Sequence, residues 1–233
     1  EVVAYIANVG QIDNYDKLEE KAKKTGADKV IVDDLRSEFI TEYIFRALKA
    51  NALYEGQYML GTSLSRPIIA RGQVATAHKE KADAVSHGAT GKGNDQVRFE
   101  LAYKALGPEL KIIAPWREWE FKSRTELIEF AKEHGIDVPV TKDKPYSSDM
   151  NIMHISYEGG ILEDAFNEPD PGMFLTTVSP EKAPDKPVYI EIEFEKGMPA
   201  AIDGKKMEPL AKVEFLNNIG GENGIGMIDI FEN

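Results

Sequence analysis

Apolar positions in the first 140 or so residues follow two alternating periods. Short β-branched runs mark strands at 2–7, 29–32, 84–87 and 111–114, with a weaker candidate at 138–140. Runs of this kind suit a parallel sheet covered on both faces. Between them the spacing becomes that of amphipathic helices. Tyr15, Leu18 and Ala22 share one face, closed by Gly26. Phe39, Ile40, Tyr43, Ile44, Ala47 and Leu48 form a broader stripe. Ser123 and Glu126 make a capping box ahead of Leu127, Phe130 and Ala131, and Gly135 supplies the stop. Repeated strand–helix alternation predicts an α/β fold with a doubly wound parallel sheet.

From about Thr141 the pattern changes. Pro145, Pro169, Pro171, Pro180, Pro184 and Pro187 punctuate a stretch without helical period. Residues 188–194 then alternate with period two, and Lys196-Gly197 reads as a hairpin turn. Residues 200–202 return, and Asp203-Gly204 makes a second turn. A helix over 208–218 would carry Leu210, Val213 and Leu216 on its core side, followed by a last strand at 225–231. The expected division is an α/β domain over 1–140 and part of a second, α+β domain over 141–233. The chain opens and closes on apparent strands, so both ends read as cut from a larger fold.

One segment concentrates the chemistry. A short apolar strand at 83–86 leads into His87-Gly-Ala-Thr-Gly-Lys-Gly-Asn-Asp-Gln-Val-Arg-Phe-Glu100, whose second part reads as a helix over 95–106. Its three glycines let backbone N–H groups approach an anion, and a helix N-terminus adds partial positive charge. Asn94 and Arg98, four apart, share a helix face. The segment is not a nucleotide P-loop: Gly88 stands three positions before Gly91, and Gly93, not Ser or Thr, follows Lys92. A glycine-rich turn that merely caps a helix is the bland reading. The crowding of Thr90, Asn94, Asp95 and Arg98 favours a ligand with both a carboxylate and an amine.

Two further stretches carry candidates. Tyr58, Thr62, Ser63 and Arg66 surround a glycine ahead of Pro67, where a helix is expected to open. Capping and ligand binding use the same donors and acceptors there, and both readings stay open. The run from Pro145 to Glu158, with Ser147 and Ser156, is dense in hydroxyls and amides at the expected domain junction, where ligand sites are common and serine-rich linkers are too. The flanks of His154 suggest a strand, with Ser156 on the same face.

Composition narrows the classes. The chain carries 28 basic and 40 acidic residues, a net charge of -12, which argues against nucleic acid or an anionic membrane as partner. With no cysteine there is no disulfide, thiolate metal site or cysteine nucleophile. The four histidines, His78, His87, His134 and His154, lack metal-ligand spacing, so no metal site is expected. His134, in a helix's last turn, fits a dipole contact. No run reaches membrane-spanning length and no signal peptide is visible, so a cytoplasmic protein is expected.

Taken in order, these segments resemble argininosuccinate synthase. The resemblance rests on Ala7-Asn-Val-Gly-Gln11, Ala52-Leu-Tyr-Glu55, Leu60-Gly-Thr-Ser-Leu-Ser-Arg-Pro67, the segment His87–Glu100, and Ala114-Pro-Trp-Arg117. It continues through His154-Ile-Ser-Tyr-Glu158, Gly160-Ile-Leu-Glu-Asp164 and Asp229-Ile-Phe-Glu-Asn233, so it covers essentially the whole chain. It implies an adenine-nucleotide alpha hydrolase-like fold and an ATP-dependent ligase joining citrulline and aspartate in arginine biosynthesis. The citrulline ureido oxygen would attack the α-phosphate of ATP with Mg2+, releasing pyrophosphate. The aspartate amine would then displace AMP from citrullyl-adenylate.

By the same resemblance, Thr90, Asn94 and Asp95 would hold aspartate. Tyr58, Ser63, Asn94, Arg98, Ser147, Ser156 and Glu232 would hold citrulline, and Ala7 and Gly88 would lie against ATP. Asp95 and Arg98 would act closest to the chemistry. The full-length protein would be a homotetramer with small-molecule partners. The family's pyrophosphate loop, Ser-Gly-Gly-x-Asp-Thr-Ser, has no counterpart in this sequence. The chain as it stands is therefore expected to be inactive alone, and the alternative is a non-catalytic fragment or module that binds citrulline and aspartate.

Overall fold

The computed structural model describes residues 1–90, 93–121, 124–136 and 146–230. The chain divides into two compact units, one of residues 1–35 and 62–143, the other of 36–61 and 144–233.

The first unit is α/β. Strands Val3–Asn8 and Lys29–Asp34 pair in parallel, Val3 opposite Lys29 and Asn8 opposite Asp34. A parallel pair needs a crossover, and helix Tyr15–Lys24 supplies it. Asn14 caps that helix by accepting the Lys17 N–H at 3.0 Å, and Gly26 leaves it at φ +105°. A second parallel pair, Ala84–Ser86 with Lys111–Ile113, is joined through helix Asn94–Leu106. The His87 N–H donates to the Ile113 carbonyl at 3.3 Å and carries that ladder one residue further.

Ala70, Val74, Ala77, Val85, Tyr103 and Leu110 form the core between helix Gly61–Glu80, helix Asn94–Leu106 and the second pair. Tyr103 is wholly buried and its hydroxyl donates to Gln73 Oε1, whose Nε2 donates to the Ser86 carbonyl at 2.8 Å. Burial pushes the Tyr103 phenol far above its ordinary pKa. The expected double coverage is weaker at strand Val3–Asn8, whose six residues are all half-buried. Among the described residues it has one strand neighbour.

The helix expected to open at Pro67 opens at Gly61 and runs to Glu80, with Pro67 inside it. Pro67 removes the N–H that would bond the Ser63 carbonyl, a local cost. Packing overrides it: Gly61, Ser65, Ile68 and Gly72 form a buried stripe at helical spacing that begins upstream of the proline. Three of those four are small or polar, so no hydrophobic period announces the helix. Helix Arg124–Glu133 ends before Gly135 at φ +65°, as expected. Ser123 of the capping box and the candidate strand 138–140 lie outside the described residues.

The second unit is α+β. Residues 36–49 are helical, with a π-helical stretch Phe39–Ile44 between Arg36–Glu38 and Phe45–Lys49. Phe39, Ile40, Ile44 and Phe45 are buried. A short hairpin, Leu53–Tyr54 with Tyr58–Met59, follows. Strands Ile192–Glu195, Met198–Ile202 and Lys205–Lys206 form an antiparallel sheet. Both expected turns are present, with Lys196 and Gly197 at φ +52° and +78°, and Asp203 and Gly204 at +49° and +71°.

Helix Pro209–Glu222 half-buries Leu210, Val213 and Leu216, and also buries Lys212, whose Nζ donates to the Pro199 and Ala200 carbonyls. Two expectations are corrected. Residues 188–191 are not strand: the ladder ends at Ile192 opposite Ile202, and the returning strand turns at Asp203, whose N–H gives the last rung to the Glu191 carbonyl at 2.9 Å. Residues 225–230 form no strand either: the Ile225 N–H donates to the Gly220 carbonyl at 2.9 Å, a helix-end bond, between Gly224 and Gly226 at positive φ.

No helix among the described residues is long and apolar enough to cross a membrane.

Candidate functional site

In the first unit, the expected ligand loop leaves the carboxyl end of strand Ala84–Ser86, where open α/β sheets bind ligands. Its entrance is fastened by His87, whose side chain is only 3% exposed and stacks on Phe99 with 5.8 Å between ring centroids. The Ala89 N–H donates to His87 Nδ1 at 3.2 Å, so Nδ1 carries no proton and Nε2 carries it. Nε2 faces Glu100 Oε1 at 3.3 Å, and Glu100 also pairs with Arg117. Burial lowers the His87 pKa below its ordinary value, and the Arg117 charge lowers it further.

Gly88 is exposed, and a Cβ placed on it would meet nothing within 4 Å. Its backbone is open to an incoming group. Thr90 is also exposed, and its carbonyl accepts the Gly93 N–H at 3.4 Å. A Cβ on Gly93 would sit 3.0 Å from Thr90 Oγ1, so this glycine lets the loop close tightly on the helix it precedes. Gly91 and Lys92 lie outside the described residues. Asn94 is the first residue of helix Asn94–Leu106 and stands exposed.

Asp95, one position on, is held from two sides. Arg66 Nε and Nη2 both donate to its Oδ2, at 2.9 and 2.8 Å, and Arg98 Nη1 donates to its Oδ1 at 2.9 Å. A carboxylate offers about four acceptor positions, and three of these are taken by arginine N–H groups. Two guanidinium groups thus converge on one carboxylate at the start of this helix. Arg66, which the sequence left between cap and ligand, proves to be part of this cluster.

Ala7 is the penultimate residue of strand Val3–Asn8, and its carbonyl accepts a hydrogen bond from Gln11 Nε2 at 2.8 Å. Gln11 Oε1 accepts the Val9 N–H at 2.9 Å, so this side chain braces the turn after the strand. Ser63, half-buried, lies in the first turn of helix Gly61–Glu80.

In the second unit, Tyr58 sits on strand Tyr58–Met59, after a turn with Glu55 and Gly56 at φ +51° and +75°. Its ring meets His154 edge-on, with centroids 5.4 Å apart. His154 Nε2 donates to the Met59 carbonyl at 3.1 Å, and burial lowers its pKa below the ordinary value, against that hydrogen bond and Asp149. Gly61 packs directly on this ring: a Cβ there would stand 2.4 Å from His154 Cδ2. Strand Ile155–Glu158 follows His154 and pairs antiparallel with Ser147–Met150. Asp149 lies opposite Ser156 and Ser147 opposite Glu158, so Ser147 and Ser156 share one face of this hairpin.

The structure thus brings together Thr90, Asn94, Asp95 and Arg98 in one unit, and Tyr58, Ser147 and Ser156 belong to the other. Glu232 lies outside the described residues. Among those described, no group of three His, Asp or Glu side chains is arranged to hold a metal ion. His134 keeps its expected local contact, with Nδ1 2.9 Å from the Phe130 carbonyl.

Comparison with known proteins covers both units. The model of the arginosuccinate synthase N-terminal HUP domain matches residues 1–137, and that of the arginosuccinate synthase C-terminal domain matches residues 146–233. The argininosuccinate synthase of Desulfotalea psychrophila is 62% identical over 232 residues, covering 100% of this chain and 58% of the relative. That of Syntrophobacter fumaroxidans is 60% identical over 232 residues, with the same 100% and 58% covered. That of Leptospira biflexa is 61% identical over 233 residues, again covering 100% and 58%. The chain spans about 58% of the length of these curated relatives.

Proposed function

Because this chain belongs to the argininosuccinate synthase family, we propose that it carries the amino-acid-binding residues of an ATP-dependent ligase that condenses citrulline with aspartate. The observation that carries this reading is in the His87–Glu100 segment: helix Asn94–Leu106 presents Asn94, Asp95 and Arg98 within its first two turns, with Arg98 bonded to Asp95. Thr90, Asn94 and Asp95 serve the aspartate. Tyr58, Ser63, Asn94, Arg98, Ser147, Ser156 and Glu232 serve the citrulline.

Such a site works by positioning and by charge. Arg98, with donors left over from its bond to Asp95, suits a substrate carboxylate. Asp95 retains one acceptor position, which suits the aspartate ammonium. Gly88 fits a nucleotide because its backbone is open, and Ala7 stands at a strand's carboxyl end, where nucleotides bind in such sheets. ATP would supply the phosphorus that activates the ureido oxygen. We assign Mg2+ no protein ligand.

The test is pyrophosphate release from ATP with Mg2+ by the full-length protein that contains this chain. Release that requires citrulline, followed by aspartate-dependent formation of argininosuccinate, is the expected result. Release indifferent to citrulline, in a folded preparation, overturns the reading.

A further inference from the structure

We infer that Arg66 is a positioning residue of the amino-acid site, fixing Asp95 so that Asp95 in turn aims the Arg98 guanidinium at a substrate carboxylate. The inference deepens the ligase reading and rests on it for the identity of the substrates.

The geometry separates the roles of the two arginines. Arg66 spends Nε and Nη2 on a single oxygen, Asp95 Oδ2, and its Nη1 donates to Ser65 Oγ at 3.3 Å. Ser65 is itself wholly buried and donates to the Thr62 carbonyl at 2.9 Å. The Arg66 side chain is only 16% exposed, while Arg98 and Asp95 are 30% and 33% exposed. Arg66 therefore faces inward, with three of its donors bound to protein. Arg98 meets Asp95 through Nη1, on the open side.

A free carboxylate at Asp95 would rotate about its side-chain bonds and carry Arg98 with it. Pinned at Oδ2 from helix Gly61–Glu80, it presents Oδ1 in one direction. One buried arginine, without itself touching the substrate, thus supplies the orientation of the site.

Arg66→Gln and Arg66→Lys in the full-length protein test this, with two independent readouts. In the substrate-free protein, the side-chain Nε–H signal of Arg98 in a 15N NMR spectrum reports its order. Arg66→Gln is expected to shift and broaden it, and Arg66→Lys to do so less. In turnover, Arg66→Gln is expected to raise the citrulline KM about tenfold with kcat within about twofold, Lys restoring part of the loss. A double-mutant cycle with Asp95→Asn closes the argument, because a residue acting through Asp95 adds less than about twofold once Asp95 is neutral.

An unchanged Arg98 signal in folded Arg66→Gln overturns the inference, and so do KM effects that multiply fully in the cycle. Should Arg66→Gln fail to fold, the same cycle with Arg66→Lys decides between the same outcomes. A full-length protein without citrulline-dependent turnover would sink the ligase reading instead, and the Arg98 signal would still report on Arg66.

Discussion

His87 and Glu100 meet through a tautomer that the backbone dictates. The Ala89 N–H occupies His87 Nδ1, so the proton sits on Nε2, 3.3 Å from Glu100 Oε1. Protonating the ring would put a second hydrogen on Nδ1, against the Ala89 N–H, and the turn that opens the ligand loop would be lost.

That relationship gives the fold a pH dependence of known sign. Burial, then Arg117, holds the folded His87 pKa below its ordinary value, and burial does the same at His154. The unfolded chain therefore binds these protons at higher pH than the folded one. Their contribution to stability is complete above about pH 6.5 and declines as pH falls through and below it. His87→Asn keeps an acceptor near the Nδ1 position but cannot titrate. Its unfolding free energy is expected to fall less steeply between about pH 6.5 and 5 than that of the parent, by up to about 1.4 kcal/mol per pH unit. Parallel curves from urea titrations would exclude His87 as a source.

Tyr103 is the hub that joins two helices to a strand. It donates to Gln73, which donates to Ser86. Tyr103→Phe preserves the ring but leaves the half-buried Gln73 Oε1 without its donor. A loss of about 0.5 to 1.5 kcal/mol is expected in chemical denaturation. A change below about 0.5 kcal/mol would mean that Gln73 finds another donor.

What was legible in the sequence follows from local chemistry. The strand–loop–helix at 84–106, the glycine turns at 197 and 204, and the stop at Gly135 each depend on neighbours within a few residues. The Arg66–Asp95 contact spans 29 positions and joins two helices, so no spacing rule could reveal it. The start of helix Gly61–Glu80 was hidden for a different reason. Its buried stripe uses Gly61, Ser65 and Gly72, where close approach replaces hydrophobicity, while Pro67 signals an opening that packing overrides. Residues 225–230 are rich in isoleucine, yet Ile225 and Ile228 are exposed and the preceding helix claims the Ile225 N–H. The grouping of 36–61 with the second unit depends on packing alone.

A helix end can be as unforgiving as a core. Gly221, in helix Pro209–Glu222, faces the Thr176 carbonyl so closely that a Cβ would lie 2.0 Å from its oxygen. The Gly221 carbonyl accepts the Val178 N–H at 3.0 Å, so the two segments are bonded where they touch. Gly221→Ala must move backbone against backbone and break that bond. Destabilisation of about 3 kcal/mol or more is expected from the overpacking and the lost bond together. Gly26→Ala, at φ +105° with open space around it, pays only backbone strain and is the control, expected near 1 to 2 kcal/mol. Equal losses in the two variants would show that helix Pro209–Glu222 shifts freely along Thr176.

The contact between Gly61 and His154 ties stability to the tyrosine assigned to citrulline. With a Cβ 2.4 Å from both Cδ2 and Nε2 of the ring, Gly61→Ala must displace His154. The displaced ring gives up its bond to the Met59 carbonyl and its edge contact with Tyr58. Tyr58 then loses the surface that fixes its ring, while Asp95 and Arg98 keep theirs. The expected signature is selective: a citrulline Kd weakened about tenfold by calorimetry, with aspartate affinity within about twofold. His154→Ala combined with Gly61→Ala removes the clash but also the support, so folding should recover while citrulline binding does not. Recovery of both would mean that Tyr58 holds its position without the histidine.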